Sequence, residues 1–599
     1  MRPGPARTTT RPRPTARPTP DQFRTRRLVS VALLAVALLA IAGAFVTFGG
    51  GVDRVAIAER YAAAWSRGDY KAMYSELTGE AGNRVSEARF TELHRELFTT
   101  ATGEKLGVGG TPVELSDTAI RVPIVVRTRI FGRLTEQVDL RITDDGDATG
   151  IDWRRELAFP GLATGEELGR TVKMPPRATL KSRDNVTLAE GEARTPDPSV
   201  ADIAPSVVGQ VGKAPPERAA ELAERGVPKD TPVGLSGLEL ALDERLLGTP
   251  GGTLTAGDRV LAETEPEQAR AVRSTISPAV VRAAVTGLGD RLGGVVALDP
   301  VSGAVLGYAG IAFSGLQPPG STFKILTLTG ALEEGIAGEG SSYPVETFAT
   351  LEGVKLENAN GESCGGTLAR SFALSCNSVF APLGAELGAE KLVDVAKRFG
   401  FDGPPLLPGA AVATIPEAGE IGDDLAVGSS AIGQGKVQAT ALQMAVVAAT
   451  IADRGSRPRL TLDLDVARRT PKAPLTRVTT PKVAATVEKF MRGVVDDGTG
   501  AAAALPGVEV AGKTGTAELK STQSCQVTPA EGEGVPFDPE SCSSGSDTTD
   551  TDAWFAAFAP AGEATPRVAV GVLVVQAGTG GDTAAPIARE VLRAGLDRG

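Results

Sequence analysis

The sequence predicts an α+β protein of several domains, attached to a membrane by a single N-terminal helix. Three observations predict this class. The chain has 599 residues, which is too many for one hydrophobic core. An uncharged stretch of 21 residues lies near the N-terminus, at 28–48. Beyond it, segments with helical spacing of apolar residues and segments with strand-like alternation both recur along the chain.

The N-terminal residues predict a cytoplasmic tail followed by a membrane anchor. Residues 1–27 hold eight arginines, six prolines and one acid, so we expect them to be disordered. Residues 28–48 are long enough to cross a bilayer as a helix. Because the arginines precede this span, the positive-inside rule places the rest of the chain outside the cell membrane. A cleaved signal peptide is the alternative, but its apolar core is normally shorter and no clear cleavage site follows this one.

Charge and histidine content exclude several classes of function. The net charge is −11 and the tail contributes +7, so the remaining residues carry −18, which argues against a nucleic-acid partner. His94 is the only histidine. A Ser-His-Asp triad is therefore not expected, and an H-E-x-x-H zinc site or any other centre with several histidine ligands is excluded. We expect no cofactor and no metal, and a lysine or carboxylate as any catalytic base. His94 lies in an amphipathic helical pattern, and we expect it at the surface or the boundary.

Residues 52–160 predict a small α+β domain in which helices come first and strands follow. Helical spacing appears at 55–65, 69–74 and 87–98, and strand patterns appear at 119–128, 136–142 and 149–153. No catalytic constellation is visible there. We expect a spacer or an interaction module.

Ser321 and Lys324 are the first candidates for chemistry. They stand three apart at the start of an apolar helical pattern, so their side chains would share one face of the helix. A neutral amine there could activate the hydroxyl as a nucleophile. Taken alone, the pair favours the simpler interpretation, a serine helix cap and a surface lysine.

Two further motifs change that balance. Ser375-Cys376-Asn377 follows 54 residues after Ser321, and Lys513-Thr514-Gly515-Thr516 lies on a predicted strand. Each motif alone is common, but S-x-x-K, S-x-N and K-T-G in this order form a signature of enzymes that use a serine nucleophile. With these three motifs the sequence resembles the class B penicillin-binding proteins. Residues 431–445 and 553–560 are similar to that family's G-Q-G helix and A-W-F strand, and the high arginine content, 46 of 62 basic residues, suggests an actinobacterial member.

The resemblance extends to the other domains and implies their boundaries. Helices followed by a sheet that ends in Asp152-Trp153 resemble the NTF2-like domain of some penicillin-binding proteins. Residues 177–185 and 234–239 resemble two motifs of that family's pedestal, or dimerisation-type, domain. We therefore expect a tail at 1–27, an anchor at 28–48, an NTF2-like domain at 52–160, a pedestal at 161–275, and at 276–599 a transpeptidase domain with an antiparallel sheet and flanking helices.

The resemblance also implies a role for each site residue. Ser321 would attack a D-Ala-D-Ala peptide or a β-lactam, Lys324 would take its proton, and Ser375 would relay a proton to the leaving amine. Lys513 would favour the neutral form of Lys324. Asn377 would hold a substrate amide. Lys513, Thr514, Gly515 and Thr516 would bind the substrate carboxylate, and the backbone N–H groups of Ser321 and Thr516 would form the oxyanion hole.

Four cysteines allow three disulfide pairings. An extracytoplasmic location permits disulfides. Local pairs, Cys364 with Cys376 and Cys525 with Cys542, fit best because each closes a short loop, and free thiols are the alternative.

These features together predict a peptidoglycan D,D-transpeptidase that β-lactams inhibit. Residues 52–160 lack the acidic signature of a glycosyltransferase, so we expect a separate membrane glycosyltransferase as a partner. A D,D-carboxypeptidase or β-lactamase-like hydrolase is a second possibility, although residues 417–420 do not form the E-x-x-L-N stretch of class A β-lactamases. A non-catalytic penicillin-binding scaffold or sensor is a third. The 27-residue tail offers no signalling domain for a sensor.

Overall fold

The computed structural model describes residues 52–146, 148–469, 476–518, 523–524, 543–544 and 551–597. These residues form two compact units. The first comprises the described residues through Leu97 together with Lys105–Val126 and Thr135–Gly165; the second comprises Phe98–Glu104, Arg127–Leu134 and the chain from Glu166 onward. Within the described ranges, no helix has the length and apolar character needed to cross a bilayer. The predicted anchor at 28–48 lies outside those ranges.

The N-terminal region, residues 52–160, contains the helices and strands that the sequence predicts, in the predicted order. Its elements are α1 Arg54–Ser66, α2 Tyr70–Tyr74, α3 Gly79–Arg84, α4 Glu87–Thr100, β1 Gly103–Val108, β2 Val113–Ser116, β3 Ala119–Thr128, β4 Arg133–Asp144 and β5 Thr149–Ile151. The strands form one sheet in the order β1-β3-β4-β5, with β2 paired to β3. Sequence patterns missed α3, β1 and β2, which are short or carry few buried residues.

The expectation that His94 lies at the surface or boundary is wrong. His94 is 1% exposed, and its Nδ1 lies 2.9 Å from the Phe90 carbonyl oxygen. Its ring packs 4.2 Å from the Phe90 ring, between Trp65 and Trp153. Burial lowers the pKa of His94 to about 4. The inward face of α4 is Phe90, Leu93, His94 and Leu97, so the helical spacing itself counts the histidine as a core position.

The two pedestal-like motifs meet through buried charges. The elements of this region are β6 Leu168–Lys173, β7 Leu180–Lys181, β8 Thr187–Ala189, α5 Ala204–Val208, β9 Val211–Gly212, α6 Pro216–Glu224, β10 Val233–Gly234, α7 Gly237–Ala241, α8 Asp243–Leu246, β11 Gly251–Ala256, β12 Arg259–Thr264 and β13 Val272–Arg273. Arg177 Nε donates to Glu239 Oε2 at 2.6 Å, and Arg194 Nε donates to Glu239 Oε1 at 2.8 Å. Glu239 is fully buried, and its two arginine partners offset the cost of burying its charge.

The remaining residues build a sheet with helices on both faces. Their elements are α9 Pro278–Leu288, β14 Gly293–Leu298, β15 Val305–Gly310, α10 Lys324–Glu333, β16 Ser342–Glu346, β17 Phe348–Leu351, β18 Val354–Glu357, β19 Cys364–Thr367, α11 Leu368–Ala373, α12 Asn377–Leu387, α13 Ala389–Phe399, α14 Ala418–Ile421, α15 Asp424–Ala431, α16 Ala441–Ala452, β20 Ser456–Arg457, α17 Leu464–Arg469, β21 Thr476–Arg477, α18 Pro481–Asp496, β22 Ala511–Glu518, β23 Gln523–Ser524, β24 Ser543–Ser544, β25 Thr551–Ala559, β26 Val568–Val574 and α19 Ala585–Leu596.

The five-stranded sheet of this region is antiparallel throughout. Its order is β15-β14-β26-β25-β22, which leaves β22 at one edge among the described strands. Alternate residues of β25 face opposite cores: Trp554 and Phe558 join the core that contains α10, and Phe555 joins the core that contains α9 and α19. The α+β prediction for this region is therefore confirmed.

Candidate active site

The turn that carries Ser321 rests directly on the edge strand β22. Residues Gly320–Phe323 form one 3₁₀ turn that leads into α10. Gly320 has a φ of +51°, and its N–H donates to the Gly433 carbonyl at 2.9 Å. A Cβ atom on Gly320 would lie 2.6 Å from the Thr516 carbonyl oxygen, and one on Gly433 would lie 2.0 Å from the Gly320 carbonyl oxygen. Glycine is therefore required at 320, which lies against Thr516, and at 433, which lies against Gly320.

The contact between Gly320 and Thr516 shows how the backbone of Thr516 is oriented. In an antiparallel strand the N–H and C=O groups of one residue point toward the same neighbour. Because the Thr516 carbonyl faces Gly320, its N–H also faces the turn that carries Ser321. This is the orientation that an oxyanion hole shared by Ser321 and Thr516 requires.

Lys324 is fully buried, and its amine donates hydrogen bonds to two carbonyl-type acceptors. Its Nζ donates to the Ser375 carbonyl at 2.7 Å and to Asn377 Oδ1 at 2.7 Å, and it lies 3.3 Å from Ser375 Oγ. A neutral amine has two N–H donors and one lone pair. The two carbonyl-type acceptors match the two donors, which leaves the lone pair available to accept a proton.

Ser375 connects the two buried lysines. Lys513 Nζ donates to Ser375 Oγ at 2.8 Å and to the Thr514 carbonyl at 3.1 Å. Burial, and secondarily the charge of Lys513, place the pKa of Lys324 well below its ordinary value. Burial also lowers the pKa of Lys513 to about 7. Two ammonium groups so close are unfavourable, so one proton shared between the amines is the favoured state.

The turn that carries Ser375 is held from both sides. Ser375 has a φ of +63°, which is uncommon for a residue with a side chain. The next residue, Cys376, forms a disulfide with Cys364, and Asn377 Nδ2 donates to the Glu357 carbonyl at 2.8 Å. Cys525 and Cys542 lie outside the described residues.

Strand alternation separates the K-T-G side chains. Lys513 points toward Ser375, and Thr514 and Thr516 point to the opposite face. Thr514 is buried, and its Oγ1 lies 2.5 Å from Thr499 Oγ1, whereas Thr516 is partly exposed. Gly515 packs against the turn that carries Ser321, since a Cβ there would lie 2.8 Å from the Pro319 carbonyl oxygen.

The structure therefore brings Lys324, Ser375, Asn377 and Lys513 into one hydrogen-bonded group. Ser321 lies on the turn that leads into Lys324 and α10, and its hydroxyl makes no hydrogen bond to any described residue. Among the described residues, no cluster of three or more His, Cys, Asp or Glu side chains is placed to bind a metal ion.

Sequence reasoning assigned no role to several residues that shape the site. Gly433 packs against Gly320 in the turn that carries Ser321, and Thr499 contacts Thr514. The Phe380 and Phe372 rings lie 5.7 and 5.5 Å from the amines of Lys324 and Lys513. The G-Q-G stretch and the stretch Gly498-Thr499-Gly500 are sequence patterns that could have drawn attention to Gly433 and Thr499. No sequence pattern distinguishes Phe372 and Phe380 from other core residues.

The lowered pKa of Lys324 predicts a flat pH profile for acylation. A base with the ordinary lysine pKa would lose about tenfold of its neutral form per pH unit below that value. Because burial keeps Lys324 neutral at lower pH, we expect the rate of acylation by a stable labelled β-lactam to change by less than about threefold between pH 9 and pH 7. A hundredfold fall over that range would contradict a depressed pKa. In Lys513→Met, the loss of the neighbouring cation should move the acid limb to higher pH.

The disulfide predicts a measurable loss of stability when it is removed. Cys364 and Cys376 are 12 residues apart, and a loop of that size closed by a disulfide is worth about 3 kcal/mol. We expect Cys364→Ser/Cys376→Ser to lower the melting temperature by several degrees and to slow acylation, because the Ser375 turn loses its brace. Cys525→Ser/Cys542→Ser, which removes the other predicted pair, is the control for acylation alone, because neither cysteine adjoins Ser375 in the sequence. Unchanged melting and acylation in the first variant would show that the disulfide does not brace the site.

Two family models match the chain. The penicillin binding protein transpeptidase domain matches residues 293–593, and the NTF2-like N-terminal transpeptidase domain matches residues 55–166. Both predicted resemblances are thereby confirmed.

Named relatives and solved structures agree with these matches. The chain is 38% identical over 307 residues to the peptidoglycan D,D-transpeptidase PbpA of Mycolicibacterium smegmatis, covering 48% of this chain and 57% of that protein. It is 37% identical over 303 residues to PbpA of Mycobacterium tuberculosis, covering 48% and 56%. The chain thus spans about half the length of these relatives. The crystal structure of M. tuberculosis PBPA aligns with a TM-score of 0.51 and 28% identity, covering 70% of this chain and 99% of that one. Its penicillin G acyl-enzyme complex aligns with a TM-score of 0.51 and 29% identity, over 70% and 100%.

Proposed function

The chain belongs to the penicillin-binding protein transpeptidase family, and from this premise we propose that it is a peptidoglycan D,D-transpeptidase that works through an acyl-enzyme on Ser321. The observation that carries the proposal is the buried pair of lysines bridged by Ser375. An ammonium group on this fully buried lysine would be unfavourable, because its charge would be desolvated. The neutral amine avoids that cost and can act as a base toward a serine hydroxyl.

In the proposed first half-reaction, Ser321 Oγ attacks the carbonyl carbon of the D-Ala-D-Ala peptide bond. Lys324 takes the hydroxyl proton as the C–O bond forms. The tetrahedral oxyanion would be stabilised by the N–H groups of Ser321 and Thr516, each such donor being worth about 3 kcal/mol. The C–N bond then breaks, and Ser375 passes a proton to the departing D-Ala amine. Lys513 supports this relay through its 2.8 Å hydrogen bond to Ser375 Oγ.

Substrate recognition in this proposal uses the edge of β22. Lys513, Thr514, Gly515 and Thr516 would bind the terminal carboxylate of the donor peptide, and Asn377 would hold a peptide amide. The contact between Thr514 and Thr499 directs the Thr514 side chain away from Lys513, so Thr516 is the more accessible hydroxyl. A β-lactam offers the same carbonyl and carboxylate, and would acylate Ser321 without a leaving group that diffuses away.

We also propose the cellular arrangement that the sequence favours. Residues 28–48 would anchor the chain in the cell membrane, with 1–27 in the cytoplasm and the domains outside, where peptidoglycan lies. Residues 161–275 would serve as the pedestal, which the contact between Arg177 and Glu239 supports by joining its two motifs. A separate membrane glycosyltransferase would supply the glycan strands.

Labelled penicillin tests the acyl-enzyme step. Wild type should become covalently labelled, and Ser321→Ala should not. Label that persists in Ser321→Ala, or its absence in wild type, would overturn the catalytic proposal and favour a scaffold. Product analysis with a pentapeptide donor and an amine acceptor then separates the remaining activities. Cross-linked dimers support a transpeptidase, whereas release of D-Ala without dimers indicates a carboxypeptidase.

A further inference from the structure

A groove lies beside the helix that begins at Asn377. It has a volume of about 290 Å³, near the lower end of the range for ligand sites, and β16, β17 and α12 enclose it. Phe348, Val379, Pro382 and Leu383 supply apolar walls. None of these residues belongs to the group around Lys324.

Two carboxylates line this apolar groove. Glu346 and Glu386 are both exposed, and neither forms an ion pair with a described residue. Tyr343 also lines the groove, and its pKa is raised by burial and, to a smaller extent, by the charge of Glu386. Lys355 lies beside one wall, with its amine 4.8 Å from the Phe348 ring centroid. Apolar walls with two unpaired carboxylates are complementary to an alkyl chain that ends in a cation.

The groove is tied to the S-x-N motif by hydrogen bonds. Ser378, which lines it, directly follows Asn377. The buried Asn358 accepts from Ser378 N at 2.8 Å through Oδ1 and donates from Nδ2 to the Glu346 carbonyl at 2.8 Å. One wall of the groove is therefore connected through Asn358 to the helix whose first residue, Asn377, contacts Lys324.

We propose that this groove docks the second substrate, an acceptor peptide whose side chain ends in a primary ammonium group. The inference rests on the proposed transpeptidase function, which needs such an amine to take the acyl group from Ser321. The alkyl part of the side chain would lie along Phe348 and Pro382, and the ammonium group would pair with Glu346 and Glu386. Docking raises the local concentration of acceptor beside the acyl-enzyme and favours aminolysis over hydrolysis.

The chemistry that follows is balanced within the site. The docked ammonium group first loses one proton to solvent and leaves the carboxylates as the neutral amine. The amine nitrogen then bonds to the acyl carbon, the bond from that carbon to Ser321 Oγ breaks, and a proton from nitrogen returns to Oγ through Lys324. The groove itself takes no part in bond making.

Direct binding to Ser321→Ala tests the groove without any turnover. The probes are a synthetic tetrapeptide with one lysine side chain and the same peptide with that amine acetylated. We expect Glu346→Gln/Glu386→Gln in this background to weaken binding of the free amine about fivefold or more at low salt, since each exposed pair contributes up to about 1 kcal/mol. The acetylated peptide should bind the parent as weakly as the free amine binds the double variant. Glu390→Gln, an exposed glutamate outside the groove lining, is the matched control.

The proposal that the groove binds the acceptor would be contradicted if the unacetylated peptide bound the parent and the double variant equally well. Equal affinity of the unacetylated and acetylated peptides for the parent would contradict it as well. In the active enzyme, the double variant should raise the apparent KM for the acceptor without a matching fall in kcat. Failure of the proposed function is a different result, because it appears as absent labelling of Ser321 by penicillin. Labelling with no glutamate effect rejects only the groove.

Discussion

Lys324→Met is expected to slow acylation of Ser321 by about 10²- to 10⁴-fold, the range for loss of a general base. Methionine has a similar length and suits a fully buried position, so the fold should survive. The variant removes the only amine that contacts both Ser375 and Asn377 among the described residues. The measurement is the second-order rate constant for labelled penicillin, with the melting temperature recorded in parallel.

The control for this change is Lys229→Met, which makes the same substitution at an exposed lysine. It should leave acylation and melting unaltered. An acylation rate within tenfold of wild type in Lys324→Met would assign the base to another group, and Lys513 would become the candidate. A rate that falls only in proportion to lost folded protein would point to a structural role for Lys324 instead.

Gly433→Ala is expected to lower the acylation rate by about 10²-fold although residue 433 carries no side chain in wild type. The added Cβ would lie 2.0 Å from the Gly320 carbonyl oxygen, and an ordinary contact begins at 3.4 Å, so the turn must move by about 1.4 Å. Displacing a reacting group by about 1 Å costs roughly 10²-fold in rate. The acylation rate at a temperature well below the melting transition measures this effect.

Gly435→Ala provides a stringent comparison in the same G-Q-G stretch. Both glycines have a positive φ, +77° and +72°, so both substitutions strain the backbone by about 1–2 kcal/mol. Only Gly433 has neighbours in the way, because no atom lies within 4 Å of a Cβ at Gly435. Equal acylation rates in the two variants would show that backbone strain, rather than displacement of the nucleophile, explains the loss.

Much of the fold could be predicted because local pattern and tertiary role agree. The strands β14 and β15 lie where apolar runs flank a Pro and Gly turn, and α9 begins at Pro278, a residue type favoured at the first position of a helix. Short elements such as β1 and β2 were missed, since their residues are largely exposed and carry no strong periodicity. His94 was misplaced because a polar residue type was given more weight than its position on the buried stripe of α4.

For the site, the sequence by itself determined the chemistry: one histidine, a serine three residues before a lysine, and S-x-N and K-T-G in order. Residue types and spacings carry that information because nucleophile and base need particular atoms. Only the tertiary structure decided which groups meet and in which protonation state. Lys324 is suited to act as the proposed base because two residues that lie 53 and 189 positions away in the chain, Asn377 and Lys513, supply an amide oxygen and a second cation beside its amine. A pKa depends on burial and neighbouring charge, which no local pattern specifies.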